Sequence, residues 1–413
     1  METFNTRTKY KWFILILGCL TNTLVVAVQS MSLSVLLPEI TNELNLSIFQ
    51  AGLVWGIASL PSIFSFLLAG FVIDRFGPRR VLIVACTLVG VVGALRGFSS
   101  SFIQLLVTVL LYGFFSPLVP LSNVKNIGIW FEDRQFGLAN GILALGMALG
   151  FFLGAMVSAS YVSPWVGSWR GTFFLYGSIA IAFTIPWLLT KSTPAGRAVP
   201  SAVSGQEVNT VPLKQLMGIR NLWLLGVALL CINGAVQGLL GYLPLYLRNL
   251  GWQASRADSL AASFHLASMI FVIPITLLSD KLGMRKRIVI LTASIAALGI
   301  GLIFFLQGDL LWVAVLAAGF ARDGMMAILI SMTIQTRGVG HVNAGLASGF
   351  VLIFAGVGGL VAPPVGNWLV DLAGNLPFLF WAVLCTGGVI AVAALAEREA
   401  AKVKKGVKTS EGS

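Results

Sequence analysis

The chain has 413 residues, of which 57% are hydrophobic and only 10% charged, with a mean hydropathy of +0.91 and a formal net charge of +12. Water-soluble domains carry about 25% charged residues, and no soluble core of this size hides so much apolar sequence, so the chain is built for a lipid bilayer. The positive balance is not a nucleic-acid footprint, because the basic residues are scattered over many short loops.

Crossing the hydrocarbon core takes about 20 apolar residues. Runs of that kind fall near 12–36, 48–73, 80–98, 102–126, 138–161 and 172–190. A polar stretch bearing Pro, Gly and Ser follows, and runs resume near 221–247, 257–279, 288–306, 310–335, 344–370 and 376–396. The expected fold is an all-α membrane protein with twelve transmembrane helices in two pseudo-symmetric six-helix bundles. Residues 1–190 form the first bundle, 191–220 a cytoplasmic central loop, 221–396 the second bundle and 397–413 a cytoplasmic tail. The first run is too long for a signal peptide and ends without a small-residue cleavage site, so it is expected to be retained. Most of the 27 Lys and Arg residues lie in the N-terminus, the even-numbered loops and the tail. That asymmetry places both termini in the cytoplasm of an integral, multi-pass plasma-membrane protein. Arg96, Arg170, Arg248 and Arg256 are counted on the outside, and Arg322 falls mid-span.

One turn occurs twice. Asp74-Arg75-Phe76-Gly77-Pro78-Arg79-Arg80 joins spans 2 and 3, and Asp280-Lys281-Leu282-Gly283-Met284-Arg285 joins spans 8 and 9. A single offset of 206 residues maps Pro38, Asp74, Gly77 and Arg79 onto Pro244, Asp280, Gly283 and Arg285. Matching residue types at one offset mark two homologous halves. Gly77 allows a backbone conformation that side chains resist, and Pro78 stiffens the exit. Asp74 is suited to accept charge-assisted bonds from Arg75, Arg79 or a neighbouring helix end.

The segments 70–80 and 276–287, with Trp169, Arg170 and Phe173 before span 6, resemble the major facilitator superfamily over nearly the whole chain. The run Pro120-Leu121-Ser122-Asn123-Val124-Lys125 with Trp130-Phe131 and 137–141 is similar to its small-anion and organic-anion carriers, cyanate-transporter-like members among them. The resemblance implies secondary transport by rocking of the two halves. It also implies a gating latch at Asp74, Arg75, Gly77, Arg79 and Arg80, echoed by Asp280, Gly283 and Arg285, that holds the cytoplasmic side closed when the cavity faces out. A turn that only sets topology by its charge is the alternative. Span 5 lacks the Gly-Pro pair of many drug/proton antiporters in this superfamily.

Polar residues at membrane depth carry the chemical information. Arg322 and Asp323 sit near the middle of span 10, where a charge costs about 2.5–3.5 kcal/mol on insertion scales and so needs a cavity or a partner. Adjacent helical residues point in different directions, so the two are expected to find separate partners, or Asp323 to be protonated, with Arg322 facing the central cavity and its substrate; an internal ion-pair network linking spans 10, 8 and 11 is the alternative. Lys125 either points inward as a second cationic contact or snorkels to the cytoplasm. His265 on span 8 is a substrate contact and, with Asp323, a proton-coupling candidate, or else a hydrogen-bonded packing residue. Asn22 and Gln29 on span 1, and Asn233 and Gln237 on span 7, are spaced to share helix faces. They read as a polar lining at the midplane, where carriers with repeats bind substrate, or as interhelical hydrogen bonds. Gly146, Gly150 and Gly154 form a close-packing face on span 5, and Pro363-Pro364 are expected to kink span 11.

Several functions have no support. A phosphate-cradling Gly-Lys-Ser/Thr loop is missing, which argues against ATP-driven transport. The four cysteines, Cys19, Cys86, Cys231 and Cys385, lie in apolar runs without metal spacing, so no metal and no cofactor is expected. The loops are too short for a catalytic domain, so an enzyme is not expected. The reading is a secondary active transporter of a small anion, in contact with the lipid bilayer and with a co-transported proton left open. Efflux of lipophilic compounds by proton antiport is the alternative, and a non-transporting membrane receptor stands behind it. Single cysteines placed at Ser204 and Gly308 are expected to react with an impermeant thiol reagent from opposite sides, inside and outside respectively. Reaction of both from one side would sink the twelve-span topology.

Overall fold

The computed structural model describes residues 2–131, 133–191, 216–339 and 343–396. Most of the central loop (192–215) and the tail from 397 lie outside them. Among the described residues all regular structure is helical. The spans are α1 (Tyr10–Leu44), α2 (48–76), α3 (Pro78–Phe98), α4 (Phe102–Trp130), α5 (Gln135–Val166) and α6 (Trp169–Leu189) in the first half. The second half has α7 (Arg220–Asn249), α8 (Ala254–Leu282), α9 (Arg285–Phe305), α10 (Leu310–Ile334), α11 (Ala344–Asp371) and α12 (Leu376–Ala393). Eleven are long and apolar enough to cross a bilayer as they stand. The twelfth, α2, is two stacked pieces, Ile48–Ile57 and Ser59–Phe76, interrupted at Ala58.

Local chemistry sets where the helices end. The first helix runs through Pro38 to Leu44, beyond the expected end near 36, and stops where Asn45 turns left-handed at φ 51°. Ser47 and Gln50 then open α2 with a reciprocal capping box. Gly77 at φ 80° and Gly283 at φ 66° make the sharp exits that the repeated turn requires. Pro78 follows as the first residue of α3, where its missing N–H is no loss.

The 206-residue offset reappears in three dimensions. Asn45 and Gly251 (φ 83°) end α1 and α7 at equivalent points. A side chain at Gly113 would put its first carbon 2.3 Å from the Ala58 carbonyl, and one at Gly319 would lie 2.4 Å from that of Phe264, the equivalent α4–α2 and α10–α8 approaches. Ser34 of α1 donates a hydrogen bond to the carbonyl of Leu240 of α7, its own counterpart. Equivalent residues meet in this way at a two-fold axis, so α1 and α7 cross at the pseudo-axis between the halves.

Glycines bring the backbones together, since apolar burial gives helices no reason to associate in lipid. Carbons added at Gly146, Gly150 and Gly154 of α5 would lie 2.7, 2.5 and 2.7 Å from Cys19, Ala27 and Val28 of α1, as the spacing suggested. In α11, Pro363 and Pro364 sit within a continuous helix and remove the donors that the carbonyls of Gly359 and Leu360 would have used. Those carbonyls instead pack against α2, where a carbon at Gly56 would be 2.7 Å from the Leu360 oxygen.

The repeated turns lie on one side of the molecule, the turn face; the α1–α2 and α7–α8 hairpins mark the far face. Polar bonds join the halves on the far side: Trp55 Nε1 to the Gln237 carbonyl (2.8 Å), Asn367 to the Ile48 carbonyl (2.9 Å) and Ser160 to the carboxylate of Asp258 (2.5 Å). Toward the turn face, Gly70, Gly137, Gly141 and Gly345 have no atom within 4 Å of an added carbon. A carbon at Gly358 would lie 2.1 Å from the Leu230 carbonyl, so Gly358→Ala is expected to cost the roughly 1–3 kcal/mol of an overpacked core. Gly141→Ala should leave the thermal midpoint of the purified protein in place; equal losses for both would refute this packing account.

Candidate functional site

A cavity of about 230 Å³ lies between the halves, walled by residues of α1, α2, α4, α5, α7, α8 and α10 and the far end of α3. Its polar lining is Ser30, Ser59, Arg96, Tyr112, Ser116, Gln237, His265 and Arg322. Under the offset, Ser59 corresponds to His265 and Ser116 to Arg322, so equivalent positions face the cavity from both sides. The titratable versions belong to the second half.

Arg322 lines the cavity, but it does not act apart from Asp323. Its Nη1 lies 2.5 Å from an Asp323 carboxylate oxygen, with the two side chains 20% and 29% exposed. This corrects the expectation that helix neighbours find separate partners. The reason is a break: α10 consists of Leu310–Gly319 and Arg322–Ile334, with Ala321 at φ −116° and ψ 2° between them. Arg322 and Asp323 therefore open a new helix, where the first turn does not impose the spacing of a helix interior. Asp323 also suits that position, because a carboxylate favours a helix N-terminus. Its second oxygen accepts from Ser268 Oγ of α8 (2.8 Å), and its backbone N–H donates back to the same hydroxyl (3.0 Å). The pair is thus a nearly neutral unit tied to α8. The first half has the same break in α4, between Phe102–Phe115 and Leu118–Trp130.

The second cation in the cavity is Arg96, which the charge count placed outside. It ends α3 in a short 3₁₀ turn and is 1% exposed. Its guanidinium carbon stands 3.8 Å from the centre of the Tyr112 ring, and Nη1 donates at 3.4 Å to the Gln29 carbonyl. Tyr112 is held in turn by its hydroxyl, which donates to the Val26 carbonyl (2.8 Å) and meets Ser30 (3.2 Å). One signal was present in the sequence: Arg96 lies inside the third apolar run, not in the loop after it.

The other candidates divide. Gln237 and His265 line the cavity. His265 is 3% exposed, stands between the rings of Phe151 and Phe264, and has no hydrogen-bond partner at Nε2. Asn22 instead bonds the Leu143 carbonyl and receives Asn123, joining α1 to α5 and α4. Gln29 bonds the Tyr176 carbonyl of α6. Asn22 and Gln29 do not share a face because residues Asn22–Ala27 form a π-helix, whose wider turn breaks the seven-residue register. Asn233 donates to the Ala355 carbonyl of α11. Lys125 is not in the cavity either, and pairs with Asp74 at the turn face.

That pairing also describes the repeated turns. Asp74 takes Lys125 of α4 in place of Arg75 or Arg79, with both side chains about half exposed. Arg79 donates to the Trp187 (3.2 Å) and Leu188 (2.6 Å) carbonyls at the end of α6, where a cation meets a helix C-terminus. Arg75 stands over the Phe76 ring. Asp280 pairs with Arg285 within its own turn at 2.8 Å. At the far end of the first half, Trp169 and Arg170 both donate to Glu43, and Arg170 also reaches the Ser99 carbonyl. Among the described residues no group of three His, Cys, Asp or Glu is placed to hold a metal ion.

The family model of the Major Facilitator Superfamily matches residues 19–344. The chain is 26% identical to a probable sulfoacetate transporter, SauU, of Cupriavidus necator, over 94% of each chain. It is 24% identical to a hexuronate transporter of Bacillus subtilis, over 88% of this chain and 89% of that one. Among solved structures, a bacterial homologue of the human lysosomal transporter Spinster, inward-facing and unoccupied, superposes with a TM-score of 0.69 at 16% identity, covering 93% of this chain and 92% of that one. The nucleoside transporter NupG does so with a TM-score of 0.73 at 14% identity, covering 92% and 98%. The Arg322–Asp323 contact itself is open to test. Asp323→Ala should lower the thermal midpoint, and Arg322→Ala/Asp323→Ala should restore part of it. The double-mutant cycle is expected to give a coupling of about 0.5–3 kcal/mol, and strictly additive losses would refute the pairing.

Proposed function

The chain belongs to the Major Facilitator Superfamily and is a membrane transporter, not an enzyme; on that premise we propose that its cargo is a small organic anion moved by alternating access. The observation that carries the reading is a cavity between the two halves with two guanidinium groups in its wall, one from each half. Arginine stays charged at any physiological pH, and its planar fork matches carboxylates and related anions. Two relatives spanning most of the chain are named for anions, sulfoacetate and hexuronate. The volume also favours a small solute over lipophilic drugs, since about 230 Å³ is below the roughly 300–1,000 Å³ typical of drug-sized ligand sites.

The positive charge of the turn face makes it the cytoplasmic side of a plasma-membrane protein, with both termini there. The bonds between the halves described above lie on the other side, which supports reading this state as an inward-facing carrier. In the outward-facing state the turns at Asp74 and Asp280 would act as the latch, with Asp74 exchanging Lys125 for a partner across the seam. Motion of this kind needs two discrete packings of the halves. Asp323 and His265 are the protein's candidates for carrying a proton with the cargo, and anion exchange would need neither.

Counterflow into proteoliposomes tests the reading. Labelled small organic anions should accumulate against preloaded unlabelled anion, with competition by other anions and none by lipophilic cations. Arg322→Lys, which keeps the charge and loses the fork, should reduce apparent affinity, and Arg322→Ala should abolish the signal in folded protein. Uptake competed by lipophilic cations and indifferent to anions would favour the efflux alternative.

A further inference from the structure

Two buried polar groups of the cavity are left unanswered by the protein. Arg96 is 1% exposed, its Nε has no hydrogen-bond partner, and among the described residues it forms no ion pair with a carboxylate. What it has is the face of the Tyr112 ring, the more distant Phe173 ring (5.7 Å to its centre) and a long bond to the Gln29 carbonyl. A ring face attracts a cation but carries no net charge, and a guanidinium does not escape the cost of burial by losing its proton. In the second half, the Nε2 of His265 is buried and equally without a partner. Arg322 differs from both. Its charge is met by Asp323, whose other oxygen is met by Ser268.

The cavity is therefore uneven in a specific way. At the α3 wall it holds one uncompensated positive charge. At the α8 and α10 wall it holds a charge-balanced cluster with a free imidazole nitrogen and the guanidinium of Arg322. A ligand that satisfies both walls needs a negative group at one end and a hydrogen-bonding group at the other. With about 230 Å³ to fill, it is short.

We infer that the cargo is a short two-ended anion, whose anionic group is the counter-ion of Arg96 and whose second polar end docks at His265 and Arg322 across the seam. The inference rests on the anion-transport reading and narrows it to a shape and to a residue outside the second half's charged cluster. Contact with both halves also gives the ligand a reason to bias their relative packing, because only differential contacts shift a conformational equilibrium.

The test uses the purified full chain and five probes at constant ionic strength: acetate and butyrate with one polar end, and glycolate, malonate and succinate with two. Ligand-induced thermal stabilisation and proteoliposome counterflow are read for each. Two-ended probes are expected to act at concentrations at least about tenfold lower than one-ended ones, the equivalent of one added charge-assisted hydrogen bond. Arg96→Gln should remove the response to every probe, Arg96→Lys should weaken all of them, and His265→Phe should erase the advantage of the two-ended set. If Arg96→Gln binds the probes as wild type does, the assignment of Arg96 is overturned while anion transport stands. Equal responses to one-ended and two-ended probes in wild type overturn the two-ended cargo. A wild-type protein that responds to no anion removes the anion reading, and this inference with it. Should Arg96→Gln fail to run as a folded species on gel filtration, Arg96→Lys, His265→Phe and the wild-type series decide the matter.

Discussion

A guanidinium taken out of water keeps its charge and forfeits several kcal/mol of solvation unless something negative or π-rich stands beside it. This protein places two such groups around one cavity, Arg96 fully buried and Arg322 with its side chain 20% exposed, and answers them differently. For Arg322 the answer is covalently adjacent. A break in α10 lets Asp323 turn back on its neighbour, and Ser268 of α8 holds the carboxylate in place. For Arg96 the answer is the face of Tyr112, with the Phe173 ring farther off, which mitigates the charge without cancelling it. The polarity of the cavity follows from that difference.

The backbone is more symmetric than the chemistry. Asn45 and Gly251, Gly77 and Gly283, and the approaches of Gly113 to Ala58 and Gly319 to Phe264 are the same structural devices used twice. Duplication supplies two halves that pack about one axis, which is what a carrier exposing one site to either side in turn requires. The residues facing the cavity from equivalent places have diverged, with Ser59 opposite His265 and Ser116 opposite Arg322. Small residues and unchanged backbone approaches keep the frame, while substitution at a few lining positions makes the two walls of the cavity chemically different.

The seam shows why such a frame can have two states. On the far side it is closed by glycine–carbonyl contacts and by a handful of hydrogen bonds, such as Trp55 to Gln237 and Ser160 to Asp258. Direct bonds of this sort contribute about 0.5–1.5 kcal/mol each, more when one partner is charged. Under the proposed alternating access, closure would be exchanged for a comparable set of contacts at the turn face. There, Asp74, Lys125, Asp280 and Arg285 hold partners within their own halves in this state. Their side chains are between 26% and 65% exposed, and the proposed latch would have them change partner.

The sequence by itself determined the solvent, the number of passes, the duplication and the family, because each of these is written in composition, run length or a repeated turn. It also located Arg322, since a charge in the middle of an apolar run is visible without coordinates. What only the tertiary structure decided is which polar residues meet. Asn22 and Gln29 lost their shared face to a π-helical turn, and Asn233 went to α11. Lys125 went to Asp74, and Arg96 turned from an expected outer charge into a wall of the cavity. Arg322 and Asp323 became a pair because α10 breaks beside them. The physical reason is common to all of these. Periodicity predicts a side chain's direction only along an unbroken α-helix, whereas the partner it reaches depends on helix breaks, crossings and close approaches between segments far apart in the chain.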